Sequence, residues 1–204
     1  MAFGDVLREF TPTWSPRGIA FDGKQLYVAD TVGVCHVLDV HACNELRNFA
    51  TPGNCHGLGF DGKNLYFAVF AAVLAQQTDY YGNVVNTYAC PALGVRAGFS
   101  IVDQHIWMID GVNNILELDR QFHQMRNIAV VPEVAYGITL DYGKNLYVTG
   151  RTNVRLYQYS EDGDLIQFVG LVIASGGVTG ITFDGKTLWI GGFEPDRIYQ
   201  VSLD

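Results

Sequence analysis

Charge is scarce in this chain. Asp, Glu, Lys and Arg make up 17% of 204 residues, and no Lys/Arg cluster occurs. With 49% of residues apolar, this composition argues against disorder and for one well-buried domain. A net charge of −8 without a basic patch argues against nucleic acid as a partner. Long hydrophobic runs are missing, so no membrane span is expected. The start, MAFGDVLREF, lacks a basic n-region and an apolar h-region. No signal peptide is therefore expected, and the chain is expected in the cytoplasm or in an assembled particle. There is no Asn-X-Ser/Thr acceptor. The four cysteines, Cys35, Cys43, Cys55 and Cys90, fit no Cys-X-X-Cys spacing. They are expected to be free or buried thiols. Neither a metal nor a cofactor is expected.

What the chain does have is a repeat. Five segments share one pattern: Gly18-IAFDGKQLYVAD, Gly57-LGFDGKNLYFAV, Gly98-FSIVDQHIWMID, Gly137-ITLDYGKNLYVTG and Gly180-ITFDGKTLWIGG. Their leading glycines recur about every forty residues, and period-two alternation runs through each unit without helical periodicity. This spacing predicts an all-β fold, a five-bladed β-propeller with four antiparallel strands, A to D, per blade. The Asp-Gly pair after strand A marks a tight hairpin. The third residue of strand A is small in every repeat (Ala20, Gly59, Ser100, Thr139, Thr182), as suits an innermost strand. Strand B carries one aromatic per repeat (Tyr27, Tyr66, Trp107, Tyr147, Trp189), expected to pack between blades.

The chain ends after strand C of the fifth repeat, at Arg197-IYQVSLD. Its first residues, Val6-LREF, resemble the D strands Leu46-RNFATP and Met125-RNIAVVP. The N-terminal strand is thus expected to complete the last blade and close the ring. One domain spans 1–204, with blades near 18–50, 57–90, 98–131, 137–172, and 180–204 plus 5–11.

The Gly-Ile-x-Phe-Asp-Gly-Lys-x-Leu-Tyr-Val pattern resembles the repeats of NHL, SMP-30 and streptogramin-lyase-like propellers. The resemblance covers nearly the whole chain and implies the architecture; activity varies among propellers. Those families commonly have six or seven blades. Five-bladed propellers include tachylectin-type lectins, whose near-identical repeats build equivalent sugar sites. The D–A loops here differ too much among themselves for five such sites.

Two phosphate-loop expressions occur within the repeats. Gly180-ITFD-Gly185-Lys186-Thr187 matches the Walker A pattern, and Gly57-Leu-Gly59-Phe-Asp-Gly62 matches the dinucleotide fingerprint. Both chemistries require a following helix. Here a strand follows, so the glycines read as turn glycines.

Candidate sites fall on the face carrying the D–A and B–C loops, here called the top. Arg17, His56 and Tyr136 precede leading glycines, and Arg96 lies beside that ring. Asp30, Asp110 and Arg151 come from B–C loops. Together they could bind a small polar or anionic ligand or a glycan. The histidines fall on different faces and cannot converge on a metal. The top-face carboxylates, Glu133 and Glu194 among them, show no spacing that selects a catalytic pair. Apolar loop residues Trp14, Phe70, Val73 and Leu171 suggest a protein interface. There, Phe70→Asp or Leu171→Asp is expected to weaken association without unfolding the ring. The leading expectation is a non-catalytic binding or structural module with a protein partner or self-association, within a particle, filament or virion. Behind it stand a small-molecule or glycan binder at the channel mouth, and then a lyase or hydrolase.

Overall fold

The computed structural model describes residues 1–69, 73–90, 98–173 and 176–204. Five four-stranded antiparallel sheets form the blades of a propeller. Blade 1 comprises β2 (Pro16–Phe21), β3 (Gln25–Asp30), β4 (Val34–Asp39) and β5 (Glu45–Ala50). Blade 2 comprises β6 (Cys55–Phe60), β7 (Leu65–Val69), β8 (Leu74–Thr78) and β9 (Val84–Ala89). Blade 3 comprises β10 (Phe99–Val102), β11 (His105–Ile109), β12 (Asn114–Leu118) and β13 (Gln124–Val130). Blade 4 comprises β14 (Ala135–Leu140), β15 (Leu146–Gly150), β16 (Arg155–Tyr159) and β17 (Leu165–Gly170). Blade 5 comprises β18 (Gly177–Phe183), β19 (Leu188–Phe193), β20 (Arg197–Val201) and, from the other end of the chain, β1 (Val6–Phe10). Pairing of Val6 with Val201 and of Phe10 with Ile198 closes the ring as the terminal sequences predict. No described helix is long and apolar enough to cross a membrane.

Alternation explains how one sheet feeds two cores. In blade 3, Ile106, Met108, Leu116 and Leu118 face blade 2, whereas Trp107, Ile109 and Ile115 face blade 4. The same division gives five apolar clusters, one per seam between blades. Each large side chain buried this way contributes roughly 1.5–3 kcal/mol. Cys35 and Cys55 are buried free thiols, Cys43 is a half-buried one, and Cys90 is buried.

The strand B aromatics have a local reason to recur. Four of them donate to the Asp of their own A–B turn: Tyr27 to Asp22 (3.2 Å), Tyr66 to Asp61 (2.9 Å), Tyr147 to Asp141 (3.0 Å) and Trp189 to Asp184 (2.8 Å). The same carboxylates accept backbone N–H groups within the turn, as Asp22 does from Lys24 and Gln25. The repeated Asp and the repeated aromatic are thus one clasp, satisfying a buried polar tip. Blade 3 lacks the Asp at this place. Its buried Glu117 is instead held between His105 and Arg126.

The leading glycines are not turn glycines. The turns use Gly23, Gly62 and Gly185, with φ of 96°, 90° and 96°. The leading glycines lie on the innermost strands, where neighbouring backbones abut. A Cβ on Gly98 would collide with the Tyr136 carbonyl oxygen, and one on Gly18 would lie 2.8 Å from the Leu58 backbone nitrogen. Gly18, Gly98, Gly137 and Gly180, with Leu58, plug the axis and leave no water-sized space there. The channel is therefore two separate mouths.

Candidate functional site: the top mouth of the channel

The side chains just above the plug owe their aim to a repeated irregularity. The A–B ladder shifts register between Pro16 and Ile19, between Cys55 and Gly57, between Ala135 and Gly137, and between Val178 and Ile181. Arg17, His56, Tyr136 and Thr179 sit within these shifts. A bulge bends its strand and re-aims a side chain. Here it does so at the same height in four blades.

Two guanidinium groups meet at this mouth. The Cζ of Arg17 lies 5.4 Å from the centre of the Phe193 ring, and that of Arg151 lies 4.7 Å from it. Arg151 also stands 5.1 Å from the Tyr136 ring and donates to the Tyr136 hydroxyl at 2.5 Å. Such cation–π placement fixes a guanidinium without neutralising it. Among the described residues, neither arginine forms an ion pair with a carboxylate. The buried Nε of Arg17 has no hydrogen-bond partner among them either. Burial, reinforced by the Arg151 charge, lowers the Arg17 pKa against the pull of Tyr136, Asp196 and Glu194. Burial and the neighbouring Arg17 charge push His56 down to about 4. Its imidazole is neutral at pH 7 and can donate from one ring nitrogen and accept at the other. Two cations without a direct ion pair among the described residues, a neutral imidazole and a phenol thus converge on a plugged mouth in a chain of net charge −8.

The remaining candidates lie elsewhere. Asp30 is buried: its Oδ1 accepts from the backbone of Val32 and Val34, and its Oδ2 faces His36. Asp110 accepts from Val112 and from both the backbone and the side chain of Asn114. Both close their own B–C turns instead of joining the ring. Glu133 accepts from Tyr157 Oη at 2.5 Å and from Asn153 N at 2.8 Å. Thr179 donates to the Pro16 carbonyl at 3.1 Å. Arg96 and Phe70 lie outside the described residues. Val73 is 44% exposed. Leu171 is buried in the seam cluster of blades 4 and 5, so Leu171→Asp would place a charge in the core and probe folding rather than an interface. Trp14 is half-buried and stacks on His36. Phe193 ends an apolar strand and carries no sequence sign of its role; only the fold brings both guanidiniums to it. Among the described residues, no group of three or more His, Cys, Asp and Glu side chains is arranged to hold a metal.

The opposite mouth has another character. A cavity of about 200 Å³ opens there, lined by Phe21, Phe60, Val102, Leu140 and Phe183, with the hydroxyls of Ser100, Thr139 and Thr182 deeper in.

No family model and no curated protein matches this chain. Solved structures do. The glutaminyl cyclase of Myxococcus xanthus superposes with a TM-score of 0.79 at 14% identity, covering 98% of this chain and 96% of that one. The virginiamycin B lyase of Staphylococcus aureus, solved with quinupristin, gives 0.58 at 16%, covering 95% and 68%. Hydrazine synthase of Kuenenia stuttgartiensis gives 0.58 at 14%, covering 90% and 57%. At such identities the likeness is one of fold, and it confirms the propeller.

Proposed function

We propose that this propeller is a non-catalytic binding module that takes a small oxyanion-bearing ligand, a carboxylate or phosphate, at its top mouth. One observation carries the reading: Arg17 and Arg151 are both held against the Phe193 ring, close enough for the Arg151 charge to act on Arg17, without an ion-pair partner among the described residues. A guanidinium fork matches carboxylate and phosphate oxygens, and partial desolvation strengthens that pairing. Tyr136 fixes Arg151, His56 supplies a neutral donor or acceptor, and the glycine plug forms the floor. The enzymes among the fold neighbours make turnover at the same mouth the alternative outcome.

Calorimetric titration with succinate, citrate and inorganic phosphate tests the reading. The wild type should bind at least one of them. Arg17→Ala and Arg151→Ala should each weaken it about tenfold or more, since hydrogen bonds to charged groups contribute roughly 1.5–3 kcal/mol. Unchanged affinity in both variants, with their melting temperatures intact, would refute the proposal.

A second reading, docking within a larger assembly, is favoured by the outer edges. The D strands present Leu46, Val84, Val85, Met125, Ile166 and Phe168 to solvent at about half exposure. Unpaired edges of this kind accept an added strand.

A further inference from the structure

A second cavity, of about 420 Å³, lies in the seam where the closing strand β1 meets blade 1. It is larger than either the bottom mouth or the small-ligand minimum of roughly 300 Å³. Phe10, Trp14, Leu38 and Ile198 line it together with Glu45, whose side chain is 37% exposed. Its construction is specific. The Trp14 indole lies parallel on the His36 imidazole, with centroids 3.8 Å apart and planes at 4°. His36 Nδ1 is 2.6 Å from Glu45 Oε2, and its Nε2 is 3.3 Å from Asp30 Oδ2. Asn48 donates to Glu45 Oε1 at 2.6 Å. Trp14, His36 and Glu45 thus brace one another, and Asp30 anchors the set inside blade 1.

We infer that this seam cavity is a binding site for a small amine with an apolar or aromatic body, its ammonium on Glu45 and its body against Trp14 and Phe10. An ionised carboxylate has about four acceptor positions and can only accept. His36 and Asn48 occupy one on each oxygen, so the partner for the rest must be a donor, and an ammonium is the strongest. Burial pushes Glu45 toward the neutral acid, but the His36 and Asn48 hydrogen bonds outweigh it and keep its pKa below the ordinary range. Trp14 favours a cation further; the Phe10 ring, stacked on Trp189 and with the Arg8 guanidinium 5.5 Å from its centre, serves as an apolar wall. That guanidinium is hydrogen-bonded to Gln200 Oε1 and to the carbonyls of His41 and Val40. Cys43, also in the wall, does not suit covalent chemistry: burial raises its thiol to about 12. The site is a receptor, separate from the channel mouth.

The test is titration with phenethylamine, followed by amide chemical shifts, against two controls of similar body: neutral 3-phenylpropanol and anionic hydrocinnamate. The amine should shift residues of the seam and bind at least about tenfold more tightly than either control, the discrimination expected of one charge-assisted contact. Glu45→Gln should abolish that preference. Because this change could also loosen the Trp14–His36 stack, a second variant is needed. Ala42→Phe fills the cavity from an exposed turn while leaving Trp14, His36 and Glu45 in place, and should block the amine with the melting temperature unchanged. Arg17→Ala should leave amine binding as it is. Equal affinity for the amine and the alcohol, shifts outside the seam, or full binding in Ala42→Phe would each overturn the inference.

Discussion

The two mouths of the channel are the two ends of the same five strands, yet they differ in kind. At the bottom, the third residue after each leading glycine is Phe21, Phe60, Ile101, Leu140 or Phe183, a repeated apolar position that serves packing. At the top, the residue before the leading glycine is Arg17, His56, Ala97, Tyr136 or Thr179, and for Arg17, His56, Tyr136 and Thr179 a bulge frees it from the ladder. Repetition marks what the ring needs in order to close. Variation at a constant backbone position marks where one blade can do what its sisters do not. A site composed this way is asymmetric despite the near-symmetric scaffold, unlike a lectin with one equivalent pocket per blade.

The plug between the mouths is the sharpest place to break this comparison. Gly98→Val drives a side chain into the Tyr136 carbonyl. Because the obstacle is backbone held by the next blade, relief requires the blades to move apart. The expected loss exceeds about 4 kcal/mol, in the range where only core collisions and similar insults fall. Urea denaturation checks it, and a loss under about 1 kcal/mol would show that the axis is not close-packed.

A smaller effect separates the ends. Phe183 is half-buried at the bottom mouth, edge-on to Tyr142 at 5.3 Å. A fully buried Phe→Ala costs about 3–5 kcal/mol, so Phe183→Ala should cost about 1–3 kcal/mol and leave anion affinity at the top unchanged. Arg151→Ala should do the reverse. If both variants shift stability and affinity together, the mouths are coupled through the plug and cannot be treated as independent.

Much of this was legible in the sequence because period and alternation are local signals. Blade number, strand order and ring closure by Val6–Phe10 all follow from them. The positions of Arg17, His56 and Tyr136 follow from a constant offset to the leading glycine. The glycines divide where the sequence reads them alike, since a glycine needed for close approach looks the same in sequence as one needed for positive φ; the two roles separate only when Gly57 and Gly180 are found on strands and Gly62 and Gly185 in turns. Asp30 and Asp110 were misplaced for a related reason. A loop carboxylate reads as solvent-facing, but an Asp two residues before backbone N–H groups closes its own turn. The Phe193 platform joins residues from three blades, and the Trp14–His36 stack joins the loop before blade 1 to its third strand; no local pattern encodes such meetings.

The finest distinction between the mouths is electrostatic and rests on His56. In the folded protein its imidazole stays neutral down to about pH 4, whereas the ordinary value is 6.5. Between those values the unfolded chain binds more protons than the folded one, so stability falls as pH drops from about 6.5 to about 4. His56→Gln removes this component, and its melting temperature should fall less between pH 7 and pH 5 than that of the wild type. The same group links pH to the ligand. Burial is the larger cause of the His56 shift and the Arg17 charge the second; an oxyanion bound beside Arg17 offsets the second and raises the His56 pKa, so binding takes up protons. Wild-type affinity for the anion should therefore rise as pH falls through that window, while the variant's stays level apart from titration of the ligand. Parallel pH profiles of stability and affinity in the two proteins would mean that His56 does not sense the mouth.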